Sequence, residues 1–380
     1  MKKINKKIKV SSKIKFLFVS MGPGETSQAR ALAKFIFKKG GKIIFALHQK
    51  INFHFLEKDK NNFEIFLTES PSKLNLLIKT KRPDVLLFFN SKTWGRHQEF
   101  QQIPPSPKPL TLCVDSNWLF NDKKYPFFNF IKWADNYLIN IPEKIFNFGL
   151  KENGGNFVIS SQTKNKIKIV GLIPYYRKIS FKERLNIRKK YKIKGNEKFI
   201  FSYFSGFGAG HRIWAFDNLL KATEKIIKKG LKIKLLYLGP TDNINPEKLK
   251  KDWIILKNSL SSDEFYSVLA SCDLIFQHQG LATLSQAISA QIPVIANVAR
   301  QPKASLPKIH FWEVEPFKKA GVCSLLSKST PIDKIAKEII KLLYDSLAIK
   351  KMREVQKKYC VPGEIEAYKI IKELLINKNK

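Results

Sequence analysis

Short unbroken apolar runs alternate along this chain with stretches whose apolar residues recur at helical spacing. Ile14 to Ser20 and Lys42 to Leu47 are runs of the kind a parallel sheet buries on both faces. Between them, Ala29 to Lys38 places Ala29, Leu32, Ala33 and Ile36 on one helical face and ends at Gly40-Gly41. Met21 to Gln28 reads as a tight loop joining the two, so the chain opens as strand, helix, strand. Further strands are expected at Phe63 to Leu67, Val85 to Phe89, Leu110 to Val114 and Tyr137 to Ile139, with helices at Ser72 to Thr80 and Phe127 to Trp133. Ile103 to Pro109 is a stiff proline-rich loop before a strand.

The rhythm restarts in the second half. After an extended segment at Val170 to Tyr176, helices are predicted at Phe181 to Lys190 and Trp214 to Lys228, and strands at Lys198 to Ser205, Ile233 to Leu238 and Trp253 to Leu256. Ser261 and Glu264 stand at capping-box spacing ahead of a helix at Ser262 to Ala270. Asp273 to Gln277, Leu281 to Ala290 and Pro293 to Val298 then form a strand, helix and strand. A helix at Trp312 to Lys319, a strand at Val322 to Leu326 and helices at Ile332 to Tyr344, Ala348 to Lys358 and Ile365 to Leu375 complete the chain. Such alternation predicts an α/β protein with two Rossmann-like, doubly wound parallel sheets. Its expected divisions are a basic tail (1–12), a first domain (13–170), a linker (171–180), a second domain (181–345) and terminal helices (346–380).

The most informative turn lies between the strand ending at Gln277 and the helix starting at Leu281. It carries His278, Gly280, Ala282 and Thr283, so backbone amides, a hydroxyl and an imidazole meet at a helix N-terminus, which favours phosphate. Gln286 follows one turn later on the face of Thr283. The order His278-x-Gly280-x-x-Thr283-x-x-Gln286-Ala287, with Pro293-Val294-Ile295 after it, resembles the donor-site signature of GT-B nucleotide-sugar glycosyltransferases. UDP-glycosyltransferases and peptidoglycan N-acetylglucosaminyltransferases are the nearest pattern. Gln279, Ala282, Gln286 and Gln291 stand where that pattern has Gly, Gly, Glu and Gly. Replacing the ribose-binding carboxylate by an amide removes a charge-assisted acceptor, a difference on the order of 1 kcal/mol.

The resemblance implies two domains facing a cleft, the second binding a UDP-sugar and the first an acceptor, with the last helix crossing back onto the first domain. It assigns the diphosphate to His278, Gly280, Ala282 and Thr283, the ribose to Gln286, and the nucleotide also to backbone near Ser261. The glycine loop at Gly206 and Gly208 would cradle the donor from the opposite wall, and Gln301 would contact the donor sugar. Gly22 and Gly24 match the acceptor-side glycine loop. Glu25 is the candidate general base, with Asp115 second; a plain helix-stabilising role for Glu25 is an equal alternative. No D-x-D motif occurs, and His278 and Gln286 occupy the positions where retaining GT-B enzymes carry two glutamates, so inverting, metal-independent transfer is expected. No cofactor beyond the UDP-sugar co-substrate is implied. His310 and Glu313 share a helical spacing without a third ligand and read as a surface pair rather than a metal site. A nucleotide-sugar epimerase of the same fold, and a binding homologue without turnover, are the alternatives.

Composition adds two constraints. The net charge of +38 comes mostly from Lys scattered on helix faces in a chain also rich in Asn, Ile and Phe. Nucleic acid is therefore a weak expectation, and an anionic membrane surface beneath a lipid-linked acceptor fits better. Cys113, Cys272, Cys323 and Cys360 form no close pair, and no run approaches the ~20 apolar residues of a membrane helix, so cytoplasmic or peripheral residence is expected.

Overall fold

The computed structural model describes residues 14–89, 108–115, 133–152, 165–174, 179–204, 213–239, 244, 246–278, 280–298 and 314–378. The first sheet holds β1 (Lys15–Ser20), β2 (Lys42–Leu47), β3 (Phe63–Leu67), β4 (Val85–Phe89), β5 (Leu110–Asp115), β6 (Asn136–Ile139) and β7 (Ile167–Ile169). Its order is β3-β2-β1-β4-β5-β6-β7, every neighbouring pair parallel. The second sheet holds β8 (Lys198–Tyr203), β9 (Ile233–Leu238), β10 (Ile254–Lys257), β11 (Leu274–Gln277), β12 (Val294–Val298) and β13 (Ser324–Ser327). Its order, β10-β9-β8-β11-β12-β13, is again all parallel. In each sheet the strand order reverses once, between β1 and β4 and between β8 and β11, and the crevice at such a reversal is where open α/β folds bind ligands.

Helices cover both faces of each sheet. On the first, Phe16 and Phe18 of β1 point toward α1 (Pro23–Lys38), meeting Ala29, Leu32 and Ile36, while Leu17 and Val19 point to the layer of α2 (Pro71–Lys81), with Leu74 and Ile78. Short helical turns fill 50–59, and α3 (Glu143–Glu152) follows β6. On the second sheet, α5 (Ile213–Ile227) and α8 (Ile332–Tyr344) cover one face through Phe216, Leu219, Ile339 and Leu343. The other face carries α6 (Ser262–Leu269) and α7 (Leu281–Ala290), with α4 (Phe181–Lys190) and α9 (Ser346–Tyr359) outside them.

The structure begins α1 at Pro23, six residues ahead of the expected start. Gly22 is its extended N-cap and Pro23 its first residue, where the missing N–H and preset φ suit a helix start. The expected Met21 to Gln28 loop is therefore short, and Gly24 and Glu25 belong to the first turn. Trp133 stands in a turn rather than at a helix end, and the rest of Phe127 to Trp133 lies outside the described residues, as do residues 1–12.

The last helix, α10 (Gly363–Lys378), returns to the first sheet and buries Ala367 and Ile371 beside Phe16 and Leu112. Where it crosses back, Gly363 N–H donates to the Leu172 carbonyl at 2.7 Å. A Cβ at Gly363 would lie 2.5 Å from that oxygen and 2.7 Å from the Gly171 carbonyl oxygen, both backbone atoms with little freedom to retreat. Gly363→Ala is expected to lower stability by roughly 1–3 kcal/mol, read as a drop in the denaturant midpoint.

Candidate functional site

The carboxyl ends of the two sheets meet through helix N-termini. Pro23, Gly24 and Ser27 of α1 face Ala282, Thr283 and Gln286 of α7, with Ser262 and Phe265 of α6, Tyr203 at the end of β8, Phe55 and Gly280 completing a cleft of about 80 Å³. Thus α1, α6 and α7 all begin at one cavity, and among the described residues no carboxylate lines it. Each start presents amide N–H groups and the positive end of a helix dipole. Gly280, the α7 N-cap, has φ +130°, a backbone state that only glycine adopts readily. The opposing first turns touch: a Cβ on Gly24 would be 3.6 Å from the Ala282 Cβ, and Gln286 Nε2 donates to Ser27 Oγ at 3.3 Å.

Of the residues named from sequence, Gly24, Gly280, Ala282, Thr283 and Gln286 are brought together as cleft lining. Gly22 is the α1 N-cap. Glu25 folds back against it, its Oε2 2.7 Å from where a Gly22 Cβ would stand. His278 is 2 % exposed and sets its ring edge-on to Trp214 at 5.7 Å, outside the cleft lining. Ser261 caps α6 by accepting from Glu264 N–H at 3.3 Å, and its neighbour Ser262 faces the cavity. Asp115 is the last residue of β5. Gly206, Gly208 and Gln301 lie outside the described residues.

Several contacts across the cleft carried no sequence signal. Arg30 on α1 is buried, ion-paired to Asp59 of its own half and to Asp263 of α6 at 3.4 Å. Lys58 reaches the other Asp263 oxygen at 3.0 Å. Ser262 Oγ donates to the Phe55 carbonyl at 3.3 Å, and His54 Nε2 lies 3.2 Å from the Leu260 carbonyl. The segment 54–59 is thus the first half's grip on the start of α6. Behind α6, Glu264 accepts from Lys190 and, at 2.8 Å, from the Tyr191 hydroxyl. Burial alone would raise the Glu264 carboxyl, but these hydrogen bonds outweigh it and hold its pKa below the ordinary value. Their stabilisation is in place above the unfolded carboxylate range and is lost as pH falls through the lowered folded value.

No protein-family model and no curated protein matches the chain. Solved structures do. Staphylococcus aureus MnaA bound to UDP superposes with a TM-score of 0.69 at 16% identity, covering 95% of this chain and 97% of that one. A UDP-N-acetylglucosamine 2-epimerase gives 0.63 at 16%, with 97% and 96% covered. The chain has the GT-B fold. A glycosyltransferase from Rickettsia africae gives 0.59 at 14%, with 96% and 99% covered, so the GT-B match spans both halves and the terminal helices.

The interlobe grip yields a pair of expectations. Arg30→Leu leaves the Asp59 carboxylate buried beside only a half-exposed Lys34, and is expected to cost about 3 kcal/mol. Asp263→Ala keeps the Arg30–Asp59 pair, and is expected to cost no more than about 1 kcal/mol. The Asp263 variant should nevertheless raise the radius of gyration in X-ray scattering, because it releases Arg30 and Lys58 from the second half.

Proposed function

We propose that the cleft binds the diphosphate of a UDP-sugar and that the chain is a glycosyltransferase. The observation that carries this reading is the convergence of three helix N-termini on a cavity lined, among the described residues, by no carboxylate. Positive dipole ends facing one another across a narrow gap favour an anion between them. The Gly280 and Thr283 backbone and hydroxyl would hold the diphosphate, and the Gln286 amide oxygen would accept from a ribose hydroxyl while its Nε2 keeps the Ser27 contact. UDP in the MnaA structure supports the same ligand class.

In the reaction, an acceptor hydroxyl, free or lipid-linked, attacks the anomeric carbon of a hexosyl or N-acetylhexosaminyl donor from the face opposite UDP. The C–O bond to UDP breaks as the new glycosidic bond forms, a base in the first domain takes the hydroxyl proton, and the anomeric configuration inverts. Glu25 and Asp115 are the base candidates. The helix N-termini stabilise the charge gathering on the departing diphosphate. Because the cleft of about 80 Å³ is below the size of typical ligand sites, the two lobes must part for the donor to enter. The UDP-N-acetylglucosamine 2-epimerases among the similar solved structures support one second reading, a nucleotide-sugar epimerase, which houses a single ligand and needs no acceptor.

UDP at about 100-fold its Kd is expected to stabilise the protein by roughly 2.7 kcal/mol, seen as a rise in melting temperature that GDP does not match. Gln286→Ala should weaken UDP about tenfold. Absence of a shift with any nucleoside diphosphate overturns the donor assignment. Product analysis then separates the two reactions: released UDP with a glycosylated acceptor supports transfer, whereas an isomerised nucleotide sugar supports epimerisation.

A further inference from the structure

Among the described residues, α4 is the one helix longer than four residues that fully buries none of its own. Glu183, Arg184, Ile187 and Arg188 form its half-buried side, and Phe181, Lys182, Leu185, Asn186, Lys189 and Lys190 form its solvent side. Phe181 is 75 % exposed and Leu185 49 % exposed. They stand one helical turn apart, with Lys189 continuing the row and Lys182 beside it.

Among the described residues, no packing accounts for an aromatic ring in that position. The Ser180–Glu183 capping box starts the helix without Phe181. Packing is supplied from the other side, where Ile187 contacts the second core, Arg188 pairs with Asp273 at 3.1 Å, and Tyr191 bonds to Glu264. The one acid of the helix, Glu183, is engaged in its cap, so apart from Asn186 the outward face is apolar and cationic. Apolar anchors set among lysines on a firmly held surface helix match an anionic bilayer, whose headgroups attract the lysines while the ring and the leucine enter the acyl boundary.

We propose that α4 is a membrane-docking helix that seats the protein on anionic lipid through Phe181 and Leu185, steered by Lys182 and Lys189. The helix packs on α6, whose first turn lines the cleft, so docking brings the wall of the cleft to the bilayer surface. The assignment does not depend on which sugar reaction the cleft performs.

Binding of the full chain to phosphatidylcholine vesicles with and without phosphatidylglycerol, measured without any nucleotide, tests it. Wild type is expected on the phosphatidylglycerol vesicles and not on phosphatidylcholine alone. Phe181→Ser with Leu185→Ser keeps every charge and should weaken binding roughly ten- to hundredfold, with the melting temperature unchanged. Lys182→Glu with Lys189→Glu should also weaken it, and more steeply at low salt. Leu347→Ser removes a side chain equally exposed, at 74 %, from α9 and should leave binding intact. Three outcomes overturn the proposal: no binding by wild type, undiminished binding by the Phe181/Leu185 variant, which would leave only the general positive charge acting, or an equal loss in Leu347→Ser.

Discussion

The first turn of α1 rests on the first turn of α7, and the arrangement of the rest follows from that contact. Each turn stands at the point where its own sheet reverses strand order, so the contact lays the two ligand-binding crevices of a double Rossmann architecture mouth to mouth. Only small residues permit it. A Cβ built on Gly24 would stand 3.6 Å from the Ala282 Cβ, ordinary van der Waals spacing, so the gap admits one more methyl but a longer side chain at either position would wedge the halves apart. Electrostatically the contact is unfavourable by itself, since like ends of two dipoles approach each other. Arg30, Lys58 and Asp263, with the Ser262 and His54 contacts, hold the lobes together against it.

Ala282 and Gln286, which depart from the donor-site pattern in the sequence, acquire a second meaning in this setting. A glycine at 282 would leave the α1 contact loose. At position 286 the amide offers both a donor, used by Ser27, and an acceptor, whereas a carboxylate offers acceptors alone. Both residues thus tighten lobe against lobe.

Most strands and the larger helices were legible because continuous apolar runs and helical spacing are local properties. The misses have separate causes. Gly22-Pro23-Gly24 reads as a breaker, yet Pro23 at the first helical position starts α1. The turns at 50–59 are too short to show a period, and β7, Ile-Lys-Ile at the sheet edge, is too short and too polar to announce itself. Within the site, the α7 turn was visible because its residues are consecutive. Its partner Ser27 lies 259 positions away, a relation that only folding creates. His278 shows the limit of pattern in the other direction: its place after β11 was apparent, while its edge-on packing against Trp214 depends on α5 lying over that face of the sheet.

The chain crosses between the halves twice, near Leu172 going out and at Gly363 coming back, and the two crossings are hydrogen-bonded to each other. Topologically the second sheet and its helices are thus an insertion into a first unit completed by α10, and the insertion's two ends leave from a single point. A module held by its base in this way can be exchanged between relatives by recombination without rethreading either core. The second half could in this manner be paired with a new first half in one genetic event.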